Sequence, residues 1–282
     1  MRVGLLGAGY SGGFLARKLL DRGHQVVAGR RSLQSMGALE ARGAETRSVD
    51  LSTGQGLADF AYCDVLVHLA PPPDLALIET EIERLARALG PKPLVYASTT
   101  GVFGRQPSGQ WVDENTEPGP LQTRGERRVA YAAGLAEAGF EVRRVFVAGI
   151  YGPGRSMFES LKRGLILFEN GPLTSRIHVE DLASILEAQL GPKGLDGVIA
   201  CDEAPAPTLE LARHAASMAG WTLPPVLDRE EAKAKMSEMA RELRLSGRRC
   251  RSLHRARLLP TLRYPSYREG LASCWLSFEG DR

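Results

Sequence analysis

A glycine-rich turn near the N-terminus constrains the fold more than any other feature of the chain. The segment VGLLGAGYSGGFLARKLL, residues 3–20, has the spacing G-x-G-x-x-G at Gly7, Gly9 and Gly12, directly after an apolar run. In such a turn the first glycine permits the tight bend. The second lets a pyrophosphate approach the backbone, and the third lets the helix pack closely on the strand. Because the motif lies between a strand and a helix N-terminus, it predicts a dinucleotide site.

Short apolar runs alternate with helical patterns as far as about residue 200. The predicted strands are 2–6, 24–28, 45–48, 65–69, 94–97, 142–147 and 198–201, and the clearest predicted helices are 13–21, 74–89 and 124–137. Several strands are nearly continuous apolar runs, which is typical of strands buried on both faces. The alternation therefore predicts a parallel sheet covered by helices on both faces.

The rhythm becomes irregular after about residue 150, where FENGPLTSRIHV indicates two short strands around a turn. We expect an α/β protein with a Rossmann-type doubly wound parallel sheet and a smaller C-terminal substrate lobe. The nucleotide-binding domain is predicted over residues 1–150, with 176–202 returning to it, and the lobe over 151–175 and 203–282. The lobe should pack over the C-terminal edge of the sheet, where open α/β sheets bind ligands.

Composition excludes few classes of protein. The chain has 282 residues, of which 43% are hydrophobic, enough for a sizeable core, and a net charge of +3 does not by itself argue for nucleic acid. Its four cysteines are scattered without a C-x-x-C pair, which favours reduced thiols in a cytoplasmic protein. No apolar run long enough to span a membrane is present, and an apolar strand follows Met1 where a signal peptide would lie.

The end of the second predicted strand indicates which dinucleotide is bound. An acidic residue there usually holds the adenosine ribose of NAD, but this chain has Arg30 and Arg31 in AGRRS. A guanidinium cannot accept a hydrogen bond from a ribose hydroxyl, but it suits a 2′-phosphate. The pair therefore favours NADP over NAD, unless both arginines are simply solvated. Asp50 either meets the adenine end or caps the following turn.

Five motifs in order resemble the extended or atypical short-chain dehydrogenases/reductases, the NAD(P)-dependent epimerase/dehydratase-like group. They are GAGYSGG, YASTTGVFG (96–104), DENTEPGP (113–120), AGIYGPGR (148–155) and RIHVEDLA (176–183), while RYPSYREGL (263–271) is similar to the ending of one atypical branch. The resemblance implies a nicotinamide cofactor. With the motif glycines, its implied cofactor contacts are Tyr10, Ser11, Arg30, Arg31, Asp50, Leu51, Leu69, Ala70, Pro71, Ser98 and Ile150. The implied substrate contacts are Phe103, Tyr151, Arg155, Arg176 and His178.

The chain departs from the family at the catalytic positions. The family uses a Ser or Thr hydroxyl, a tyrosine that exchanges the proton and a lysine that grips the nicotinamide ribose. The resemblance places Thr99 at the hydroxyl position, Arg124 at the tyrosine and Arg128 at the lysine. Arginine does not give up its proton, so Arg124 can stabilise an oxyanion but cannot act as a general acid or base. Both arginines could equally be solvated helix residues.

Other candidates for the proton each have a structural alternative. Tyr151 could pack in its turn, Tyr131 could lie in the core, and His68 and His178 could be hydrogen-bonded structural histidines. The histidines, cysteines and carboxylates show no metal-ligand spacing, so no metal is expected.

A basic stretch, which we call the basic segment, runs from Arg241 to Arg263 and contains eight arginines and His254. It would suit a phosphate, a nucleotide sugar or a polycarboxylate, an acidic partner, or simply solvent. No aromatic residues interleave with it, which argues against single-stranded nucleic acid. By analogy with the family, two copies would pair through the helices at 74–89 and 124–137.

Our leading hypothesis is an NADP(H)-binding oxidoreductase or epimerase-like enzyme that acts on a polar, anionic small molecule. The alternative is a catalytically silent redox sensor or regulatory protein that holds NADP(H) without turnover, as the missing tyrosine allows. A third hypothesis is an isomerase or lyase that uses the cofactor transiently.

Overall fold

A computed structural model describes residues 1–104, 106, 110–117 and 123–280, so the end of DENTEPGP lies outside the described residues. The strands are β1 (Arg2–Leu6), β2 (Gln25–Arg30), β3 (Glu45–Ser48), β4 (Val65–His68), β5 (Pro93–Thr99), β6 (Trp111–Val112), β7 (Glu141–Val147), β8 (Gly149–Tyr151), β9 (Leu167–Phe168), β10 (Arg176–His178), β11 (Gly197–Ala200), β12 (Val226–Leu227) and β13 (Arg249–Cys250).

The helices are α1 (Tyr10–Asp21), α2 (Gly37–Glu40), α3 (Ile78–Leu89), α4 (Thr123–Glu137), α5 (Met157–Lys162), α6 (Val179–Ala188), α7 (Thr208–Ala219), α8 (Arg229–Lys235), α9 (Glu238–Leu245), α10 (Arg255–Leu258) and α11 (Tyr267–Gly280). The three clearest predicted helices correspond to α1, α3 and α4, and each ends at the predicted residue. The helix predicted over 74–89 is shorter than expected, because its first turn is a separate 3₁₀ turn at Leu75–Leu77.

Seven strands form the central sheet in the order β11-β7-β5-β4-β1-β2-β3, and every neighbouring pair is parallel. The predicted Rossmann-type doubly wound sheet is therefore confirmed. The order reverses at β1 and β4, so a crevice opens there at the carboxyl ends of the strands. Parallel strands require crossover connections, and these bring the helices onto both faces.

Each face of the sheet is covered by one pair of helices. On one face Leu15 and Leu19 of α1 pack with Leu182 and Ile185 of α6. On the other face Leu85 of α3 and Leu135 of α4 belong to the cluster that includes the sheet residues Leu66 and Leu94. The periodic apolar positions of these helices thus bury both sides of β1, β4 and β5.

The later segments are built from short parallel pairs rather than one sheet. β10 pairs with β8, β12 with β9, and β13 with β6. The two strands predicted in FENGPLTSRIHV exist as β9 and β10, but each pairs with a distant strand rather than with the other. A separate aromatic core beneath α11 includes Phe158, Trp221 and Trp275. No helix among the described residues is long and apolar enough to cross a membrane.

Candidate functional site

The turn after β1 has the geometry that only glycine allows. Gly7 has φ +94°, and a Cβ there would lie 2.6 Å from the backbone nitrogen of Ala70. The amides of Gly7 and Ala8 both donate to Gly29 O, at 3.0 and 2.8 Å, which fixes the turn against β2. No side chain caps the N-terminus of α1, so its first amides stay available to an anion.

Contacts on both sides of this turn hold α1 close to the sheet. A Cβ on Gly12 would lie 3.0 Å from Leu69 Cδ1, so the helix can approach this closely only without a side chain. Tyr10 donates from its hydroxyl to Pro153 O at 3.0 Å, and its ring lies 5.6 Å from the guanidinium of Arg155. The loop after β8 therefore covers the outer side of the turn.

A cleft of about 610 Å³ opens beside the turn. It brings together most of the residues predicted to contact the cofactor, and its lining consists of Gly7, Gly9, Arg30, Arg31, Ser32, Val49, Asp50, Leu51, Ser52, Leu69, Ala70, Pro71, Pro73 and Glu81. Ser98 is not part of this lining; it is buried, with 5% of its surface exposed. Ile150 is half-buried in β8 and packs against the core of the sheet.

Arg30 separates the cleft from a second cavity of about 570 Å³ between α1 and α2. Its guanidinium donates to Ser35 Oγ. Arg17 and Arg42 line the same cavity; Arg42 pairs with Asp21 at 2.6 Å, so Arg17 and Arg30 are the lining arginines without a carboxylate partner among the described residues. This concentration of positive charge suits a phosphate at the adenosine end of a dinucleotide.

Asp50 is held by its own loop at the end of β3. Its Oδ1 accepts hydrogen bonds from Ser52 N at 2.9 Å and Ser52 Oγ at 2.7 Å. These bonds hold the pKa of Asp50 below its usual range. The carboxylate thus organises the loop that lines the cleft.

Thr99, predicted to orient the substrate, ends β5. Its Oγ1 accepts from Gly101 N at 3.2 Å and caps a 3₁₀ turn at Thr100–Phe103. Phe103 lies inside this region with 3% of its surface exposed, and its ring contacts Phe146. The side chain of Phe103 therefore packs in the interior next to the end of β5.

Arg124 and Arg128, which the sequence predicts at the tyrosine and lysine positions, have different surroundings. Arg128 is half-buried on α4, and its Nη1 donates to Ala97 O at 2.7 Å, two residues before Thr99. Arg124 is exposed in the first turn of α4 and makes no hydrogen bond or ion pair with any described residue. The structure therefore brings Arg128 to the end of β5, whereas the Arg124 guanidinium has no partner among the described residues.

A larger groove of about 870 Å³ lies on the other side of Arg128. Ser98 and Phe103 line it together with Val129 of α4 and Arg257. The groove lies between α4 and the strands β7 and β11 and shares no lining residue with the cleft beside the glycine turn, so the two are distinct.

Tyr151 and His178, predicted to contact the substrate, both lie in the interior. The Tyr151 hydroxyl is 3.4 Å from Ser266 O, and burial raises the pKa of Tyr151 above its usual value. His178 has no exposed surface, and its Nδ1 accepts from Glu180 N, so it caps α6. Burial lowers the pKa of His178 to about 4. These surroundings favour the structural alternative for both side chains.

Arg176 and Arg155, also predicted to contact the substrate, differ in exposure. Arg176 is half-buried and donates from Nη1 to Thr174 O and Ala206 O, at 2.8 and 2.9 Å. Arg155 is exposed beside Tyr10. Arg155 is thus the one of the two with its cationic group open to a ligand.

A buried chain of hydrogen bonds lies beside the cleft, and the sequence did not predict that its three residues would meet. Tyr131 donates from its hydroxyl to Glu81 Oε1 at 2.7 Å, and His68 Nε2 lies 3.0 Å from the same hydroxyl. Burial raises the pKa of Glu81 and lowers that of His68 to about 3. His68 and Tyr131 stood out in the sequence one at a time, but Glu81 gave no signal because it lies in an ordinary helical pattern.

The basic segment is occupied largely by internal contacts rather than by an open anion site. Arg251 binds Asp113 Oδ2 through Nε at 3.1 Å and Nη2 at 2.8 Å. Arg255 pairs with Glu203 at 2.7 Å, and Arg263 with Glu180 at 2.7 Å. These three pairs, among eight arginines, tie the segment to the loops after β6 and β11 and to α6. The described residues contain no cluster that could hold a metal ion.

Comparisons with known proteins place this architecture in a family. The model of the NAD dependent epimerase/dehydratase family matches residues 5–134. None of the curated proteins compared with the chain matches it. A conserved protein of unknown function from Silicibacter pomeroyi is 31% identical, with 98% of each chain covered and a TM-score of 0.79.

Two further solved structures share the fold. A candidate NAD-dependent epimerase/dehydratase from Methylobacillus flagellatus is 24% identical, covering 99% of this chain and 98% of its own, with a TM-score of 0.73. The UDP-glucuronic acid 4-epimerase of Bacillus cereus, solved with NAD, is 16% identical, covers 99% of both chains and has a TM-score of 0.78. With its glycine turn, parallel sheet and ordered motifs, the chain belongs to the NAD-dependent epimerase/dehydratase family.

Proposed function

We propose that the protein binds NADP(H) in the cleft beside the glycine turn and uses it in oxidoreductase or epimerase-like chemistry on a polar, anionic small molecule. The observation that carries the proposal is the position of Arg30. It ends β2, lines the cleft and borders the cavity that Arg17 and Arg42 also line. A 2′-phosphate on the adenosine ribose would find guanidinium donors there, while the acidic residue that favours NAD is missing from the strand end.

The glycine turn fits the pyrophosphate of such a cofactor. Its Gly7 backbone approaches Ala70 too closely for a side chain, and the uncapped amides of α1 face the same opening. When bound, the nicotinamide donates or accepts a hydride. The chain's own residues then hold and orient the substrate. Thr99, whose Oγ1 accepts from Gly101 N, would donate its hydroxyl proton to a substrate oxygen, and Arg128 supports the strand end on which Thr99 lies.

The proposed anionic substrate follows from Arg124. A cation in the first turn of a helix opposes the helix dipole and costs about 0.3–1 kcal/mol. Glu126 in the same turn offsets part of this cost. An anion bound to the Arg124 guanidinium would remove the remaining disadvantage and would stabilise negative charge that develops on the substrate oxygen. Because arginine keeps its proton, the proton that balances the hydride comes from water.

A fluorescence titration with NADPH and then NADH tests the proposal first. We expect NADPH to bind at least about tenfold more tightly, the effect of one charge-assisted contact. Equal affinities would remove Arg30 and Arg31 from the site, and no binding of either would end the enzyme hypothesis. A single-turnover screen of carbonyl compounds with bound NADPH, comparing the wild type with Thr99→Ala, then tests turnover.

A second candidate, a redox sensor that binds NADP(H) without turnover, is favoured by the tyrosines. Tyr131 and Tyr151 are buried, and their raised pKa values make them poor proton donors at neutral pH. Tight NADPH binding without oxidation by any of a broad set of anionic carbonyl compounds would support the sensor. Steady oxidation by any of them would exclude it.

A further inference from the structure

A groove on the flank of α4 has no part in the function proposed so far. It has a volume of about 870 Å³ and shares no lining residue with the nucleotide cleft. We call it the α4 groove. Its apolar walls include Val129, Ala132, Ala133 and Ala136 of α4 and Val142 and Phe146 of β7. Removing apolar surface from water is favourable, so a groove of this size and lining favours an apolar occupant.

The apolar flank follows from the way α4 sits in the fold. Its lining residues recur at positions 129, 132, 133 and 136, which is the spacing of one helical stripe. Tyr131 belongs to the core over the sheet instead, and another flank packs on α3, where a Cβ on Gly134 would lie 2.6 Å from Ile82 Cδ1. Ala133 and Ala136 are exposed in the α4 groove. The stripe is therefore open to a ligand.

One end of the α4 groove holds a buried hydroxyl. Ser98 of β5 lies opposite Phe146 of β7 in the sheet register, so the two side chains share a face. Ser98 lines the groove with 5% of its surface exposed, and its hydroxyl makes no hydrogen bond with any described residue. Buried polar groups are normally hydrogen-bonded, because an unmade bond is costly. The hydroxyl is therefore an indication of a ligand that does not depend on the apolar stripe.

A positive charge lies at the same end of the groove. Arg128 is half-buried on α4, and its Nη1 donates to Ala97 O, in the peptide unit that precedes Ser98. No carboxylate of the described residues pairs with this guanidinium. A guanidinium has further N–H donors besides Nη1. A carboxylate can accept hydrogen bonds from these donors and from the Ser98 hydroxyl at once.

The acidic residues that line the groove do not compensate this charge. Asp196 pairs with Arg144 at 2.9 Å. Glu114 Oε1 accepts from Ile199 N at 2.8 Å, so its carboxylate is held against the edge strand β11. Glu117 is exposed, so water and salt screen its charge. The buried end of the groove thus keeps a positive charge that suits an anion.

We propose that the α4 groove is a second ligand site, which binds an amphipathic monocarboxylate. The carboxylate accepts hydrogen bonds from the Ser98 hydroxyl and the Arg128 guanidinium, and the apolar body lies along the stripe of α4. From Val129 to Ala136 the stripe is about 10 Å long, because a helix rises about 1.5 Å per residue. This length suits an alkyl chain of medium length. The inference goes beyond the proposed function and does not rest on it.

Isothermal titration calorimetry of the full chain with octanoate, octylammonium and acetate tests the inference. Octanoate has both the charge and the apolar body that the groove requires, so we expect it to bind. Octylammonium reverses the charge on the same chain and should bind at least about tenfold more weakly, the effect of one charge-assisted hydrogen bond. Acetate lacks the apolar body and should also bind at least about tenfold more weakly.

Three variants locate the binding site. Ser98→Ala should weaken octanoate binding by about tenfold. It should not lower stability in urea unfolding, because the hydroxyl has no partner among the described residues. Ala133→Phe fills the groove and should abolish octanoate binding. Ala234→Phe, at an exposed alanine of α8 outside the groove, is the matched control and should bind octanoate as the wild type does.

Several results would overturn the inference. It fails if octanoate does not bind, if octylammonium or acetate binds as tightly, or if Ala133→Phe, shown to be folded by circular dichroism, still binds octanoate. Displacement of octanoate by NADPH would place octanoate in the nucleotide cleft instead. A dimer that Ala133→Phe dissociates in sedimentation velocity would show that a second copy covers the groove. The NADPH titration of the proposed function is a separate result, since the two sites share no lining residue.

Discussion

The two halves of the sheet edge differ in how closely they follow the family pattern. At the ends of β1 to β4, which we call the nucleotide half, the glycine turn, its close contacts and the cleft are all present. At the ends of β5, β7 and β11, which we call the catalytic half, the fold is the same, but the sequence predicts Arg124 and Arg128 at the positions of the family's reactive pair. The difference teaches that the turn and the cleft depend on backbone shape and small residues, whereas single side chains at the other strand ends can change without disturbing the fold.

A second difference between the two halves is a buried carboxyl at the end of β11, in the catalytic half. Asp202 follows β11 with 2% of its surface exposed, and neither carboxyl oxygen makes a hydrogen bond of ordinary geometry with the described residues. Burial raises the pKa of Asp202 to about 7, although the nearby positive charge of Arg176 acts in the opposite direction. Polar groups in the nucleotide half, such as Asp50, are instead satisfied by their own loops.

The largest effect is expected where the nucleotide half depends on backbone shape. Gly7→Val would place a branched side chain at φ +94° and against the Ala70 backbone. We expect a loss of about 3 kcal/mol or more in the free energy of unfolding and no measurable NADPH binding. Urea unfolding and fluorescence titration measure both effects.

Gly13→Ala is the matched control for Gly7→Val, because a Cβ there meets nothing within 4 Å inside α1. It should stabilise the protein slightly, by up to about 1 kcal/mol, since alanine favours helix. Equal effects of the two substitutions would show that the turn does not depend on the conformation of Gly7.

Asp202 should give the next largest effect, and it should depend on pH. Its folded pKa of about 7 lies above the unfolded value of 3.8, so the folded state binds the proton more tightly. The stability that this carboxyl contributes is therefore lost as pH rises from about 4 to about 7. Asp202→Asn should remove this part of the decline and be more stable at pH 8 by about 2–4 kcal/mol.

The control for Asp202→Asn lies at the other end of the same strand. Asp196 is exposed and pairs with Arg144 at 2.9 Å, so Asp196→Asn should change stability little at any pH. Urea unfolding at pH 4, 6 and 8 measures both variants. A wild-type decline that Asp202→Asn leaves intact would assign the pH dependence to other groups.

The contrast between features set by local pattern and features set by distant residues explains which parts of the molecule could be predicted from the sequence. The glycine spacing and the alternation of strands and helices predicted the sheet and the turn, because these depend on local pattern. The family resemblance supplied most of the residues that line the cleft. The Glu81–Tyr131–His68 chain joins residues that are distant in sequence and meet only when α3 and α4 pack on the sheet. The basic segment was open to interpretation because its acidic partners, such as Asp113 and Glu203, lie far away along the chain.

The two arginines on α4 allow a half-buried and an exposed side chain of the catalytic half to be compared by their effect on stability. Arg128→Met removes the charged hydrogen bond to Ala97 O, and we expect a loss of about 1–3 kcal/mol in stability. Arg124→Met should change stability by less than about 0.5 kcal/mol, because the exposed side chain has no partner among the described residues. Urea unfolding compares them. If Arg124→Met is the more damaging variant, Arg124 has a structural role and is not free for a ligand.

The smallest expected effect concerns which arginine binds the phosphate at the adenosine end of the dinucleotide. Arg30 is half-buried and fixed on Ser35, whereas Arg31 is exposed, so Arg30 loses less side-chain freedom when it binds a phosphate. Arg30→Ala should weaken NADPH binding by about tenfold and leave NADH binding unchanged, while Arg31→Ala should weaken NADPH binding by about threefold or less. Parallel titrations of both variants with both dinucleotides measure this. If Arg30→Ala weakens NADH as much as NADPH, the side chain supports the cleft as a whole. In that case dinucleotide binding would depend on the shape of the cleft, and the charge of Arg30 would not select the 2′-phosphate.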